Sequence, residues 1–193
     1  VRLRSPEGIE YRDYQKPGIE YCLNTSNTLI ADQQRLGKTI ITLGVINNLD
    51  DVSSVLVLCP KTAKNVWLEE SKKWLINKRK TQVLSAQSEF DADAGLVIGN
   101  YDNLHIQPFL QKKVFDVIIA DEIHTCKNDS ARRSKFFFNL KARKKIGLSG
   151  TPLLNKPQDL LNAMRWLDPF WNDFQVRGDR FLNMNGITLS LDE

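Results

Sequence analysis

The fold of this chain is decided by the stretch Ile30-Ala31-Asp32-Gln33-Gln34-Arg35-Leu36-Gly37-Lys38-Thr39, which is followed about eighty residues later by Val117-Ile118-Ile119-Ala120-Asp121-Glu122-Ile123-His124. Gly37-Lys38-Thr39 lies between a short apolar run and an apolar-periodic stretch, the strand, loop and helix order in which backbone N–H groups and a lysine bind phosphates. Asp121 and Glu122 end a second apolar run, where two carboxylates can hold a magnesium ion and a water. Together the two stretches predict a site that binds and hydrolyses ATP.

Each stretch taken alone also has an ordinary explanation. A Gly-Lys-Ser/Thr tripeptide arises by chance in roughly one chain in ten of this size at average residue usage. An acidic pair after a buried strand often caps the next helix, where its charge meets the helix dipole. Because the two stretches occur in this order, each at the end of a β-type run, we interpret them jointly as one nucleotide site.

The composition is that of an ordinary globular domain. Of 193 residues, 41% are hydrophobic and 26% are charged, which indicates neither a disordered nor a fibrous class. No run approaches the ~20 apolar residues that a membrane span needs, and the first residues lack the apolar core of a signal peptide. We therefore expect no membrane partner, and since the chain does not begin with Met we expect it to be an excerpt.

Cysteine usage and charge narrow the class of protein further. Cys22, Cys59 and Cys126 lie far apart without a Cys-x-x-Cys pair, so we expect reduced thiols and an intracellular location rather than disulfides or a zinc site. A compact chain without lysine-rich tails favours a bacterial protein or a viral protein acting in a host cell. The net charge of +4 is concentrated in two basic stretches, 72–80 and 141–145. These stretches permit a polyanionic partner, and the alternative is that they are solvated basic faces.

Continuous apolar, β-branched runs alternate with helical patterns along most of the chain. Such runs are typical of buried parallel strands, so the sequence predicts an α/β fold with a mostly parallel sheet covered by helices on both faces. In these sheets, ligands gather beyond the carboxyl ends of the strands, where both stretches quoted above fall. The predicted strands are 28–31, 54–59, 82–84, 96–98, 115–120 and 145–149. The predicted helices are 14–23, 38–49, 63–76, 104–111, 131–140 and 158–167.

The chain is expected to divide near residue 168. Residues 1–168 carry the alternating pattern and form the predicted nucleotide-binding domain. After Pro169 the pattern weakens, and Asn183-Met184-Asn185-Gly186 is typical of a turn leading to a short tail. Residues 169–193 are therefore expected to be an extension that wraps the domain or begins a connection to a further unit.

Six segments, spread along most of the chain, resemble the first motor lobe of superfamily 2 helicases and, within it, the Snf2 family of double-stranded-DNA translocases. The most specific are Lys127-Asn128 after the acidic stretch and Pro152-Leu153-Leu154-Asn155 after Gly150-Thr151, because these features separate Snf2 enzymes from ordinary RNA helicases. The other resembling segments are Arg12-Asp13-Tyr14-Gln15, Asp32 through Thr39, Leu58-Cys59-Pro60-Lys61 with Trp67-Leu68-Glu69-Glu70, and Gly99-Asn100-Tyr101.

The resemblance implies a RecA-like P-loop three-layer sandwich and a set of roles at the nucleotide. Lys38 would neutralise the β- and γ-phosphates, Gly37 would let the backbone approach them, and Thr39 and Asp121 would ligate Mg²⁺. Glu122 would orient or deprotonate the attacking water. Lys38, Asp121 and Glu122 are thus the predicted catalytic residues. Gln15 and Arg12 are the predicted adenine-side contacts, and His124, Ser149 and Thr151 are predicted to couple the nucleotide state to the rest of the lobe.

The resemblance also implies a nucleic-acid partner. Lys61, Asn100, Tyr101 and Lys127 lie at predicted strand ends or loops and are expected to touch phosphates of double-stranded DNA, although turn chemistry explains the amide and the hydroxyl equally well. Trp67 is expected to be a core anchor rather than a platform for stacked bases.

A complete motor of this kind needs a second RecA-like lobe, which has no room in this chain, so the chain alone is expected to bind nucleotide weakly and to turn over little ATP. The alternatives are an RNA or single-strand helicase lobe, or a degenerate scaffold that docks DNA or protein without nucleotide. The scaffold rests on Arg35, which replaces a glycine of the family's phosphate loop. If that glycine has a positive φ, arginine there would be strained by roughly 1 kcal/mol.

Overall fold

The computed structural model describes residues 2–125, 132–150, 157–177, 180–183 and 188–190. The helices are α1 (Gln15–Asn24), α2 (Lys38–Asn48), α3 (Lys64–Trp74), α4 (Phe109–Lys112), α5 (Arg132–Phe138) and α6 (Pro157–Leu167). The strands are β1 (Thr28–Ile30), β2 (Val55–Cys59), β3 (Thr81–Val83), β4 (Leu96–Asn100), β5 (Val114–Asp121), β6 (Lys141–Leu148), β7 (Phe174–Arg177), β8 (Arg180–Asn183) and β9 (Thr188–Ser190). Short 3₁₀ turns occupy Lys61–Ala63, Tyr101–Ile106, Ile123–Thr125 and Pro169–Asp173.

Six strands form one sheet in the order β1-β6-β5-β2-β4-β3, and every pair in it is parallel. All five residues of β2 and all five of β4 are buried, as expected for strands covered on both faces. Side chains of β2 alternate between two cores: Val55 and Val57 pack on one face of the sheet, whereas Leu56 and Leu58 pack on the other. The predicted α/β sandwich is confirmed.

The two cores are covered by different helices. Ile19 of α1, Leu43 of α2 and Trp67 of α3 belong to the core on one face. Phe137 of α5 and Trp166 of α6 belong to the core on the other face, where their rings stack with centroids 4.8 Å apart. Trp67 is 1% exposed, which confirms the prediction that it anchors the core.

The prediction of one helix over residues 104–111 is wrong, because the helical structure there is interrupted. The chain forms the 3₁₀ turn Tyr101–Ile106 and then the single-turn helix Phe109–Lys112. Pro108 separates them, because its ring disfavours the helical conformation for the preceding residue, and Gln107 has φ −120° and ψ 63°. Proline chemistry therefore replaces one helix by two short turns.

Strand β6 begins four residues earlier than the predicted 145–149, and two of its basic residues, Lys144 and Lys145, are directed into the fold rather than into solvent. Lys144 is 8% exposed, and its Nζ donates hydrogen bonds to the backbone carbonyls of Thr25 and Ser26. Nζ of Lys145 donates to the carbonyl of Trp166 at 2.8 Å and lies 5.2 Å from the centre of that indole. Burial lowers the pKa of both lysines. Lys144 and Lys145 therefore stabilise the fold, whereas Lys141 and Arg143 of the same basic stretch are exposed.

Asp116 ties the beginning of β5 to the segment before β2. Its Oδ2 accepts hydrogen bonds from the backbone N–H and the hydroxyl of both Ser53 and Ser54, at 2.9–3.0 Å. Burial opposes ionisation of this carboxyl, but the four hydrogen bonds outweigh it and hold its pKa at about 2. These hydrogen bonds lie at the edge of the sheet opposite to the strands' carboxyl ends.

Residues after 168 form more structure than the expected tail. The 3₁₀ turn Pro169–Asp173 leads into a second sheet, in which β7, β8 and β9 pair antiparallel. Phe174 is fully buried against Leu161 of α6 and Trp171, and its carbonyl accepts a hydrogen bond from Arg165 at 2.7 Å. The predicted turn after Asn183 involves residues 184–186, which lie outside the described residues. The domain boundary at 168 stays a prediction.

Candidate functional site

The phosphate loop connects β1 to α2 and ends at a glycine that the fold requires. Gly37 caps α2 with φ 79° and ψ 35°, a left-handed conformation that an L side chain rarely adopts. A Cβ at this position would also collide with Nε2 of Gln15. Two independent constraints, backbone conformation and the approach of Gln15, therefore select glycine immediately before the lysine.

Arg35 replaces a glycine of the family's phosphate loop, and it has the left-handed conformation that favours glycine. Its φ is 68°, and its side chain is exposed. A non-glycine residue in this region is strained by roughly 1 kcal/mol or more. The loop therefore keeps the backbone path that glycine would favour, and the substitution is accommodated as local strain.

Lys38 begins α2 and is held over the loop. Its side chain is largely buried, and Nζ donates hydrogen bonds to the carbonyl oxygens of Asp32 at 2.8 Å and Gln33 at 3.0 Å. Thr39 follows in the first turn and is half-buried. An ammonium group and the N-terminal N–H groups of an eleven-residue helix thus meet at one point, the arrangement that binds phosphate.

Asp121 ends β5 and is held by two aromatic donors that lie far away in the sequence. Trp67 Nε1 donates to Oδ2 of Asp121 at 2.8 Å, and the Tyr101 hydroxyl donates to its backbone carbonyl, also at 2.8 Å. Burial raises the pKa of the Asp121 carboxyl, and the neighbouring charge of Glu122 adds to this. The Trp67 hydrogen bond and the charge of Lys38 act in the opposite direction. Lys38 follows β1 and Asp121 ends β5, so the phosphate loop and the acidic pair lie at the same edge of the parallel sheet.

Glu122 follows in a left-handed conformation with φ 50°, and its carboxylate meets the end of β6. Nδ1 of His124 lies 3.2 Å from Oε2 of Glu122 and 3.2 Å from Oγ of Ser149. The backbone N–H of Gly150 donates to the same Glu122 oxygen at 3.4 Å. The structure therefore brings together Glu122, His124 and Ser149, three residues that the sequence assigned to catalysis and coupling. Thr151 lies outside the described residues.

Gln34 joins the phosphate loop to the end of β6, a contact that sequence reasoning missed. A Cβ added to Gly150 would lie 2.6 Å from Cγ of Gln34, so the side chain of Gln34 lies directly against Gly150. Gly150 also donates to Glu122, so one glycine touches both the loop and the catalytic candidate. No sequence signal identifies this contact, because glutamine is not the family's residue at this position.

Gln15 lies between the start of α1 and the phosphate loop. The side chain is 2% exposed, and its Oε1 accepts a hydrogen bond from the backbone N–H of Arg12 at 3.0 Å. The guanidinium of Arg12 is exposed and donates to the Tyr14 hydroxyl at 3.2 Å. Gln15 thus contacts the glycine of the phosphate loop, while its predicted contact with adenine stays a prediction.

Lys61, Asn100 and Tyr101, three of the predicted DNA contacts, line one cavity of about 200 Å³ at the same sheet edge. Lys61 is exposed, whereas Asn100 is 4% exposed and Tyr101 is 8% exposed. Two atoms among the cavity-lining residues, Oδ1 of Asn100 and Oγ1 of Thr125, are buried without a hydrogen-bond partner among the described residues. Lys127, the fourth predicted contact, lies outside the described part of the chain.

The residues fit a magnesium–nucleotide complex better than a metal centre built by protein alone. Among the described residues, no three His, Cys, Asp or Glu side chains converge as a metal site. Mg²⁺ at nucleotide sites is typically held by one or two protein oxygens together with phosphates and waters, so it needs no such cluster. The hydroxyl of Thr39 and the carboxylate of Asp121 are donors of that kind.

Within the described ranges, no helix has both the length and the apolar character that crossing a bilayer requires.

Comparison with known proteins gives a consistent answer. Human DNA annealing helicase and endonuclease ZRANB3 is 29% identical over 180 residues, covering 85% of this chain and 17% of that protein. The ISWI chromatin-remodeling complex ATPase ISW1 of Saccharomyces cerevisiae is 27% identical over 191 residues, covering 89% of this chain and 17% of that protein. The chain therefore spans about one sixth of the length of these curated relatives.

A solved structure and a family model complete the comparison. The Sulfolobus solfataricus SWI2/SNF2 ATPase core in complex with dsDNA matches with a TM-score of 0.77 and 27% identity, covering 88% of this chain and 38% of that chain. The RecA-like architecture expected from the sequence agrees with this match. The model of the SNF2-related domain covers residues 14–176, which is most of the sequence. This chain belongs to the SNF2-related domain family.

Proposed function

We propose that this chain is the ATP-binding lobe of an ATP-dependent translocase that moves on double-stranded DNA. The observation that carries the proposal is the convergence of the phosphate loop and the acidic pair at one edge of the parallel sheet. Lys38 follows β1 and Asp121 ends β5 at the same edge of the sheet, and Gln34 of the loop lies against Gly150, whose N–H reaches Glu122. These contacts assemble an ammonium group, a helix N-terminus and two carboxylates around one small volume.

In this proposal the phosphate side of the site belongs to the loop and the first turn of α2. Gly37 lets the backbone approach phosphate oxygens, and Lys38 exchanges its two loop carbonyls for the β- and γ-phosphates. Thr39 and Asp121 hold Mg²⁺, which neutralises charge on the phosphate oxygens when it is bound. On the base side, the amide of Gln15 and the guanidinium of Arg12 recognise adenine.

Glu122 is the group that orients and deprotonates the attacking water. Its carboxylate accepts from the Gly150 N–H and is close to Nδ1 of His124, so its position depends on the end of β6. His124 and Ser149, with Thr151, would carry the nucleotide state from Glu122 to the rest of the lobe. The strained backbone of Glu122 supports this role, because strained residues persist where the surrounding structure holds them for function.

Double-stranded DNA is the proposed partner of the surface around the cavity that Lys61 and Asn100 line. The solved relative with a TM-score of 0.77 is described as a complex with dsDNA, and the named relatives include an annealing helicase and a chromatin-remodeling ATPase. Lys61 is an exposed cation at the rim, suited to a phosphate, and Asn100 and Lys127 complete the proposed contact set. An intracellular location is part of this proposal, because ATP and DNA are both found there.

Turnover is proposed to require a second RecA-like lobe. This chain covers 38% of the solved ATPase core, and a second lobe would supply the remaining cationic side of the ATP cleft. The isolated chain should therefore bind Mg-ATP weakly and turn it over slowly. Catalytic turnover by this chain at the rate of a complete motor would contradict this part of the proposal.

The first experiment is a calorimetric titration of Mg-ATP into the chain and into Lys38→Ala. Lys72→Ala is the matched control, because Lys72 is exposed and forms an ion pair with the surface residue Glu69. Binding heat that disappears in Lys38→Ala and persists in Lys72→Ala supports a nucleotide site. Equal or absent heat in all three proteins would instead favour a nucleotide-free scaffold.

The second experiment measures ATP hydrolysis by the full-length parent protein without nucleic acid and with duplex DNA, single-stranded DNA or RNA. Glu122→Gln is the control, since it keeps the shape of the side chain and removes the base. Stimulation by duplex DNA that is lost in Glu122→Gln supports the translocase. Stimulation by RNA or by single strands alone would move the protein to the helicase alternative.

A further inference from the structure

The backbone of Glu122 is held on both sides, because the carbonyls of the peptide groups before and after its Cα each accept a hydrogen bond. The Tyr101 hydroxyl donates to the Asp121 carbonyl at 2.8 Å, and the Thr125 N–H donates to the Glu122 carbonyl at 2.9 Å. Between these two carbonyls lies the left-handed backbone of Glu122, with φ 50°. A non-glycine residue keeps such a conformation only when its surroundings fix it. Tyr101 is one of the groups that do so.

Tyr101 is itself rigid. It begins the 3₁₀ turn directly after β4, it is 8% exposed, and its ring packs edge-on against Phe137 with centroids 5.7 Å apart. A buried ring between a strand end and a core phenylalanine cannot follow the Asp121 carbonyl if that carbonyl turns. The hydroxyl therefore sets the orientation of the peptide, rather than adapting to it.

The same two hydrogen-bond donors line the cavity beside Lys61. Tyr101 and Thr125 both belong to its wall, and the buried Oδ1 of Asn100 and Oγ1 of Thr125 belong to wall residues without partners in the described part of the chain. A group that enters this cavity meets residues one hydrogen bond away from the backbone of Glu122. The cavity wall and the supports of the Glu122 backbone therefore share two residues, Tyr101 and Thr125.

We propose that Tyr101 is a positioning residue: its hydroxyl holds Glu122 in the left-handed conformation and couples DNA in the Lys61 cavity to ATP hydrolysis. The proposal rests on the proposed function. It changes the part assigned to Tyr101 by the sequence, from a contact with DNA phosphate to a support for the acidic pair. Trp67, which donates to the Asp121 carboxylate, supports the same pair from the α3 side.

The test compares wild type, Tyr101→Phe and Tyr21→Phe, each in the full-length protein because turnover is proposed to require the second lobe, in single-turnover ATP hydrolysis with and without duplex DNA. Tyr101→Phe removes only the hydroxyl, and Tyr21→Phe is the matched control, because Tyr21 lies on the surface of α1 and is 63% exposed. We expect Tyr101→Phe to lower the DNA-stimulated rate constant by about fivefold to tenfold, the effect of one ordinary hydrogen bond. The apparent KM for ATP and the Kd for DNA should change by less than about twofold.

A spectroscopic readout is independent of activity. The chain has only two histidines, His105 and His124, so their ring resonances in a two-dimensional NMR spectrum are readily assigned by substitution. Because Nδ1 of His124 lies 3.2 Å from the Glu122 carboxylate, a displaced Glu122 should shift the His124 resonance in Tyr101→Phe and leave that of His105 in place. Trp67→Phe provides a second variant if Tyr101→Phe does not fold.

The outcomes are distinguishable. A weakened Kd for DNA with an unchanged rate constant would make Tyr101 a DNA contact and overturn the proposal. A lower melting temperature with unchanged kinetics and an unmoved His124 resonance would reduce Tyr101 to a core residue. If the wild type shows no hydrolysis, the proposed function fails, and the His124 resonance alone still decides whether Tyr101 positions Glu122.

Discussion

Replacement of Arg35 by glycine should stabilise the protein. Arg35 has φ 68°, in the region where an L residue is disfavoured by about 1–2 kcal/mol, and its exposed side chain contributes little packing. Glycine removes this strain but makes the unfolded chain more flexible, at about 0.5–1 kcal/mol. The difference is a net gain of about 0.5–1 kcal/mol in the free energy of unfolding.

Thermal unfolding followed by calorimetry tests this arithmetic. For a domain of this size, the gain corresponds to a rise in Tm of about 1–4 °C. Arg35→Ala is the matched control, because it removes the guanidinium but keeps the Cβ that causes the strain, so its Tm should stay at or below that of the wild type. If Arg35→Gly melts no higher than the wild type, or if Arg35→Ala rises equally, backbone strain is not what distinguishes this position.

Three further predictions concern other contacts. Because the pKa of Asp116 is held at about 2, its contribution to stability is present above pH 4 and is lost as the pH falls toward 2. Denaturant unfolding should therefore show that the difference in free energy of unfolding between wild type and Asp116→Asn decreases by on the order of 2 kcal/mol across that range. A gap that stays constant with pH would contradict this assignment. Gly150→Ala should slow ATP hydrolysis, since its Cβ would lie 2.6 Å from Cγ of Gln34, and Gln34→Ala in the same chain should restore the rate. Simple additivity of the two changes in a double-mutant cycle would show that the residues do not interact. Gly37→Ala should weaken Mg-ATP binding by about tenfold or more in a calorimetric titration, because both the positive φ and Gln15 exclude a side chain there. Unchanged affinity would mean that the loop is not held in this conformation.

The large elements of this fold were predictable because their cause is local. Continuous β-branched runs such as Val55–Cys59 have only one stable place, the centre of a sheet covered on both faces, and the structure puts them there. The phosphate loop and the acidic pair were predictable for a related reason, since their residue types at a strand end have few other uses together. Because both follow strands of one parallel sheet, they lie at the same edge of it.

Other features depend on contacts that no local pattern encodes. The indole of Trp67 reaches Asp121 across 54 residues, and the hydroxyl of Tyr101 reaches the same residue across 20. From the sequence, Trp67 is predicted to be a core residue and Tyr101 a surface contact. Neither prediction includes a hydrogen bond to Asp121, because a buried aromatic side chain can also donate one. The early start of β6 was missed because Lys144 satisfies its charge on backbone carbonyls inside the fold, which composition alone cannot show.

The buried lysines of β6 also determine which parts of the lobe can move. Lys144 fastens the strand to the turn before β1, and Lys145 fastens it to the end of α6. Asn27 closes the arrangement, accepting from the Lys145 N–H and donating to the Leu167 carbonyl, each at 2.7 Å. The roots of β1, β6 and α6 are thereby locked into one rigid block. We therefore expect motion during a cycle of nucleotide binding and release to be smallest at this end of β1 and β6 and larger at their carboxyl ends.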